Sequence, residues 1–151
     1  MTLLVGAESL EVQVSSGGVA GVSERLLRSA VTMVLEAGGV TDGEISVALL
    51  DDASMMELNR RYRDQNSTTD VISFALHEGD EAVLGDIYVN HEQAARQAAV
   101  LGGPLEEEFA RLAIHGTLHV LGYDHPEAES GVSSEMFVIQ ERLVRKLLKA
   151  G

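Results

Sequence analysis

The segment HGTLHVLGYDH, residues 115–125, holds three of the five histidines in the chain. His115 and His119 are four residues apart, so on a helix they share one face, about 40° apart around the axis and about 6 Å along it. Two imidazoles placed in this way can reach one metal ion at about 2.0–2.1 Å. Gly122 can take the left-handed conformation that ends a helix and turns the chain, which would return His125 towards the same ion. Three nitrogen ligands with one open position are typical of a catalytic zinc site.

The spacing is that of the zinc peptidase motif HExxHxxGxxH, so the motif is zincin-like. The residue after the first histidine is Gly116, however, where those peptidases carry the glutamate that acts as general base. This difference counts against peptide hydrolysis. A phosphodiester tolerates the loss better, because zinc lowers the pKa of bound water to about 7 and because RNA can supply its own 2′-hydroxyl as nucleophile. A structural zinc, or histidines that only pack or cap a helix end, are the alternative interpretations.

On either side of this segment, strand-like and helix-like pieces alternate. Apolar or alternating runs predict strands at Leu10–Val14, Ile45–Leu50, Val71–Leu76 and Val83–Val89. Helical spacing predicts helices over 23–37, 53–63 and 91–101, from Pro104 to Gly122, and from near Pro126 to the end. Only a short acidic turn separates the last two strands, which indicates that they are neighbours. The order predicts an α+β fold in which helices pack on a mixed sheet of about four strands, with the histidine helix at the centre.

Composition limits the classes of protein that remain. A chain of 151 residues with 45% hydrophobic content can bury a core without disulfides or structural metal ions, and we expect a single domain over residues 1–151. No cysteine is present, which excludes thiol catalysis and cysteine zinc sites. The net charge of −13 argues against a bulk nucleic-acid coat but leaves room for a local basic patch. No secretory signal or membrane span is predicted, so we expect a cytoplasmic protein without membrane contact.

Four segments together resemble one family. The histidine segment is similar to the signature of the YbeY family of bacterial endoribonucleases, also described as rRNA maturation factors. Three further segments resemble that family's LNxxYR, TDVLSF and LGDI motifs, and they are Leu58–Arg63, Thr69–Phe74 and Leu84–Ile87. The resemblance covers about residues 44–149. One departure is Ala75, where the family usually has proline.

The resemblance implies a function and assigns roles to particular residues. His115, His119 and His125 would bind one Zn²⁺ ion, although imidazole also suits nickel. Arg63 aligns with the arginine of LNxxYR, and its guanidinium would hold the scissile phosphate and stabilise charge that develops there. Arg60 and Arg61 extend it to a basic patch on an otherwise acidic chain.

The implied activity is single-strand-specific, metal-dependent endoribonucleolytic cleavage in rRNA processing, including maturation of the 16S 3′ end, and in ribosome quality control. The implied partners are single-stranded RNA, rRNA precursors, small-subunit particles and assembly proteins. Two other functions remain open. The protein could be a non-catalytic ribosome-assembly factor with a structural zinc, or a metallohydrolase of small molecules or peptides.

Overall fold

The computed structural model describes residues 9–63, 69–123 and 135–150. Four strands lie in this part of the chain: β1 (Ser9–Ser15), β2 (Asp42–Leu50), β3 (Val71–Ala75) and β4 (Val83–Asn90). Five helices accompany them: α1 (Glu24–Ala37), α2 (Asp52–Arg63), α3 (His91–Leu101), α4 (Leu105–Val120) and α5 (Glu135–Ala150). Among the described helices, none is both long and apolar enough to cross a membrane.

The strands form one mixed sheet in the order β1-β2-β4-β3. β1 pairs with β2 and β2 pairs with β4 in parallel, whereas β3 pairs with β4 in the antiparallel direction. β3 is therefore an edge strand that runs against the other three. The predictions of an α+β fold, of about four strands and of mixed direction are confirmed. The prediction that one domain extends over residues 1–151 stays a prediction.

Local signals explain where the helices begin and end. Ser23 caps α1 by accepting a hydrogen bond from the backbone N–H of Leu26, and Asn90 caps α3 in the same way through Glu92 and Gln93. After α4, Gly122 has φ = 102°, which confirms the predicted left-handed turn. The predicted start of the last helix near Pro126 lies outside the described residues.

Helix α4 occupies the centre of the fold, as predicted. It contacts α1, α3 and α5 on its outer sides and strands β3 and β4 beneath it. Its apolar residues join those of β2, β4, α1 and α5 in the main core cluster. Among the described elements, this arrangement leaves the side beside β3 as the one along which its histidines reach solvent.

Two glycines allow α4 to lie directly on the sheet. A Cβ atom built on Gly116 would come within 2.8 Å of Ile87 Cγ2, and one built on Gly85 would come within 2.7 Å of Val120 Cγ1. Neither distance is possible for a real side chain without movement of its neighbour. In two places, therefore, the backbone of one element packs directly against a side chain of the other, and these contacts fix the height of the histidine helix above the sheet.

Helix α2 is held in place by a polar network at its first turn. The Asn90 side-chain amide is fully buried and donates to Asp52 at 2.8 Å and to the Thr69 carbonyl at 3.2 Å. Arg96 donates to the same carboxylate of Asp52. These hydrogen bonds, led by that of Arg96, lower the pKa of Asp52 to about 2, so the carboxylate stays charged at neutral pH. The network ties α2 to α3 and to the chain that enters β3.

The close contact at Gly116 leads to a stability prediction. Alanine in the interior of a helix is usually more stable than glycine by about 1 kcal/mol, but the added methyl group of Gly116→Ala would press on Ile87. We expect Gly116→Ala to lower the free energy of unfolding by about 1–3 kcal/mol, measured by urea denaturation.

Gly103→Ala is the matched control, because a Cβ atom there meets no atom within 4 Å. The control should be neutral or slightly stabilising. A Gly116→Ala variant as stable as the unmodified protein would contradict the close packing of α4 on the sheet.

Candidate active site

Two of the three predicted ligands lie together in the last turns of α4. The Nε2 atoms of His115 and His119 are 3.1 Å apart, and the ring centroids are separated by 4.6 Å. Both rings are partly buried, and their planes meet at 75°. The helix therefore directs the two nitrogen atoms to one point, as the four-residue spacing predicts.

The other ring nitrogen of His115 is held by a residue from α5. His115 Nδ1 lies 2.6 Å from Gln140 Oε1, and the Gln140 side chain is buried. The amide nitrogen of Gln140 donates to Glu141 at 3.0 Å, which leaves its oxygen to face the histidine. Because an amide oxygen only accepts, Nδ1 must carry the proton. In the neutral ring, Nε2 then carries the lone pair through which a metal would be bound.

An arginine anchors this arrangement from behind. Arg111 donates to Glu141 at 2.8 Å and also to Glu107 and Glu108, each at 3.0 Å. These hydrogen bonds, of which the one to Glu141 has the largest effect, raise the pKa of Arg111 above its usual range, although burial alone would lower it. Burial alone would raise the pKa of Glu141, but the hydrogen bonds from Arg111 and Gln140 outweigh it and lower that pKa. The chain Arg111–Glu141–Gln140 therefore holds His115 by fixed charges and hydrogen bonds.

The histidine pair fits a zinc ion. Two ligands at about 2.0–2.1 Å in tetrahedral geometry place their nitrogen atoms about 3.3 Å apart, close to the 3.1 Å found between His115 and His119. The third predicted ligand, His125, lies outside the described residues, as does Asp124, the carboxylate nearest to it in sequence. Within 9–63, 69–123 and 135–150, no group of three or more metal-binding side chains comes together. The three-histidine site therefore stays a prediction.

The two histidines open into a cleft of about 660 Å³ between α4 and the edge of the sheet. One wall of the cleft is formed by the end of α4 and the turn after it, and the other wall by β3 and the two residues before it. The lining residues are Thr69, Asp70, Val71, Ile72, Ser73, Phe74, Ala75, His115, His119, Gly122 and Tyr123. A molecule that occupies this cleft therefore lies between the histidines and β3.

The predicted basic patch of α2 is only partly present, because two of its three arginines pair with a carboxylate of the same helix. Arg63 is the last residue of α2, and its side chain lies outside the described part of the structure. Arg60 and Arg61 are exposed, but both form ion pairs with Glu57 on the same helix. That pairing neutralises part of the predicted basic patch, and the role of Arg63 as phosphate ligand stays a prediction.

A side chain at position 116 would point towards the sheet, because a Cβ atom built on Gly116 lies next to Ile87. The position that holds glutamate in zinc peptidases is here pressed against Ile87 and Val71, with no space for a side chain. The missing general base is therefore a consequence of how α4 packs. Gln140, by contrast, was not predicted, although a glutamine among the buried positions of an amphipathic helix, together with Met136 and Leu143, is a signal that the sequence does contain.

Fold and site together define an α+β protein with a histidine pair in a cleft at the edge of a mixed sheet. The sequence model of the family described as endoribonuclease YbeY matches residues 11–148. The chain therefore belongs to the YbeY family.

Individual relatives agree with this assignment. Proteins named endoribonuclease YbeY from Moorella thermoacetica and Mycobacterium marinum are 42% and 40% identical over 130 and 149 residues. These alignments cover 76% and 91% of this chain, and in each case 83% of the relative. The solution structure of TM1509 from Thermotoga maritima matches with a TM-score of 0.64 and 30% identity, and covers 92% of this chain and 90% of its own.

The contact between Gln140 and His115 can be tested by metal binding. Removal of a hydrogen-bond partner of a metal-binding histidine typically costs 10–100-fold in affinity. We expect Gln140→Leu to weaken zinc binding by about that factor, measured by competition with a chromophoric chelator.

Gln140→Glu keeps an oxygen acceptor for Nδ1 and should retain most of the affinity, so it separates the hydrogen bond from packing. Equal affinity of the leucine variant and the unmodified protein would show that this contact does not support metal binding.

Proposed function

We propose that this protein is a cytoplasmic, zinc-dependent endoribonuclease that cleaves single-stranded RNA during rRNA processing, including 16S 3′-end maturation. His115, His119 and His125 would hold the zinc ion, and Arg63 would bind the scissile phosphate. The observation that carries the proposal is the histidine pair, aligned by Gln140 and open to the cleft at β3. Membership of the YbeY family supports the reaction class.

Each part of the site has a distinct task in this mechanism. A bound zinc ion would supply Lewis acidity and lower the pKa of water to about 7. Gln140 holds His115 in the tautomer whose Nε2 can act as a ligand. The guanidinium of Arg63 would pair with two phosphate oxygens and stabilise the charge that grows on them during attack. The walls of the cleft would keep the strand in register with the histidines.

The site favours a phosphodiester over a peptide. A peptidase needs a general base beside the metal, and the position that supplies it in zinc peptidases is here a glycine packed on Ile87. A phosphodiester can be cleaved without that group. Small-subunit particles and assembly proteins are the partners that accompany this proposal.

Metal content and cleavage test the proposal together. Protein purified without an affinity tag should contain about one zinc ion per chain by plasma mass spectrometry. His119→Ala should lose the metal and the cleavage of a single-stranded RNA. His91→Ala should keep both, because His91 begins α3 and is not among the cleft residues.

Arg63→Ala separates the phosphate ligand from the metal. It should retain zinc, while cleavage falls by about a hundredfold or more, as when one stabilising donor is removed from a transition state. Unchanged cleavage by both His119→Ala and Arg63→Ala would overturn the enzyme assignment. The alternative of a ribosome-assembly factor with a structural zinc would then be the better explanation.

A further inference from the structure

The hydrogen bonds of β3 determine which of its backbone groups face the cleft. The Asn90 N–H donates to the Asp70 carbonyl at 2.9 Å, and at the other end the Leu76 N–H donates to the Leu84 carbonyl at 2.7 Å. In an antiparallel pair, every second residue directs both its N–H and its C=O to the partner strand. The even-numbered residues of β3 therefore bond to β4, and the odd-numbered ones point away from it.

The odd-numbered residues are Val71, Ser73 and Ala75, and all three line the cleft that contains His115 and His119. In the described ranges no hydrogen bond reaches their backbone N–H and C=O groups. They are spaced two residues apart, about 6.8 Å for an antiparallel strand. Among the described residues, the outer edge of β3 beside the cleft is thus a row of three donor–acceptor pairs.

The opposite edge of the sheet, formed by β1, is partly covered. There the Val12 carbonyl of β1 accepts a hydrogen bond from Arg28 at 3.3 Å, and helix α1 lies beside the strand. Natural sheets usually cover or interrupt their edges, because an open edge invites unwanted pairing. In the part of the chain that the structure describes, the row on β3 is uncovered, and it lines the cleft that contains the histidines.

From this geometry we infer that the outward backbone groups of Val71, Ser73 and Ala75 bind the Watson–Crick edges of unpaired bases in the RNA substrate. The inference rests on the proposed function and extends it to how the strand is recognised. An unpaired base carries donors and acceptors side by side on that edge, which suits an N–H and C=O pair. In a duplex these groups are occupied, so recognition by β3 gives a physical reason for single-strand selectivity.

The charge of the cleft decides which part of the RNA faces β3. Asp70 lies on the same wall, and the chain carries a net charge of −13. Phosphates placed along that wall would be repelled, whereas neutral base edges would not. The bases therefore turn towards β3 and the phosphates towards the side of the cleft formed by the histidines.

Amide hydrogen exchange measured by NMR tests this directly in the unmodified protein. The probe is a mixed-sequence 2′-O-methyl phosphorothioate oligonucleotide, which resists cleavage. When it binds, the amides of Val71, Ser73 and Ala75 should exchange at least about tenfold more slowly, because each gains an acceptor. Ile72 and Phe74, which are already bonded to β4, are internal controls that should change little.

Three results would overturn the inference. The outward amides could remain unprotected when the oligonucleotide binds. They could be protected equally by the complementary duplex, or by an extended peptide and not by the oligonucleotide.

A pair of variants provides a second measurement. Ser73→Pro removes one outward N–H, and an edge strand tolerates proline at such a position, whereas Ser73→Ala removes only the hydroxyl. Loss of one hydrogen bond predicts that Ser73→Pro binds the oligonucleotide about fivefold more weakly than Ser73→Ala, which serves as the reference. If Ser73→Pro does not fold, the exchange measurement decides alone.

These measurements distinguish failure of recognition by β3 from failure of the proposed endoribonuclease function. If the unmodified protein cleaves RNA and Ser73→Pro binds as tightly as Ser73→Ala, recognition by β3 is wrong and the proposed function stands. If the unmodified protein neither binds nor cleaves single-stranded RNA, both are wrong.

Discussion

The close contact between helix α4 and strand β4 is the constraint on which the rest of the site depends. Gly116 and Gly85 let the helix rest on the sheet at distances that any side chain would prevent. This contact sets the position of His115 and His119 relative to β3, and so sets the width of the cleft. The same packing occupies the position where a zinc peptidase carries its glutamate. One steric requirement therefore places the histidines and also removes a general base.

The polar chain behind His115 is the second constraint. Arg111, Glu141 and Gln140 belong to two helices, and their hydrogen bonds hold α4 and α5 together at the level of the site. Buried polar networks are stabilising only when each member is satisfied, and here the arginine bonds three carboxylates. A change in the packing of α5 would therefore reach His115, a proposed metal ligand, through Gln140.

Much of this arrangement could be predicted from local patterns. Periodicity located the strands and helices, and the spacing of His115, His119 and Gly122 predicted the shared helix face and the turn after it. Gln140 could not be placed, because its contact with His115 joins residues 25 apart in sequence and depends on how two helices pack. The ion pairs of Arg60 and Arg61 with Glu57, by contrast, are local. Their spacings of three and four residues on one helix would have allowed the sequence to predict them.

An acidic protein that acts on RNA must bind a polyanion although its own net charge is negative. Strong general attraction to phosphates would require many cations, and this chain has 11 lysines and arginines against 24 acidic residues. Two of those cations already pair with carboxylates of the fold, Arg96 with Asp52 and Arg111 with three glutamates. Affinity would then come from a few placed groups, such as the proposed metal site and Arg63, and from contacts that carry no charge. The proposed backbone hydrogen bonds along β3 are of that kind, and they would select for unpaired bases where a general positive surface would bind any nucleic acid.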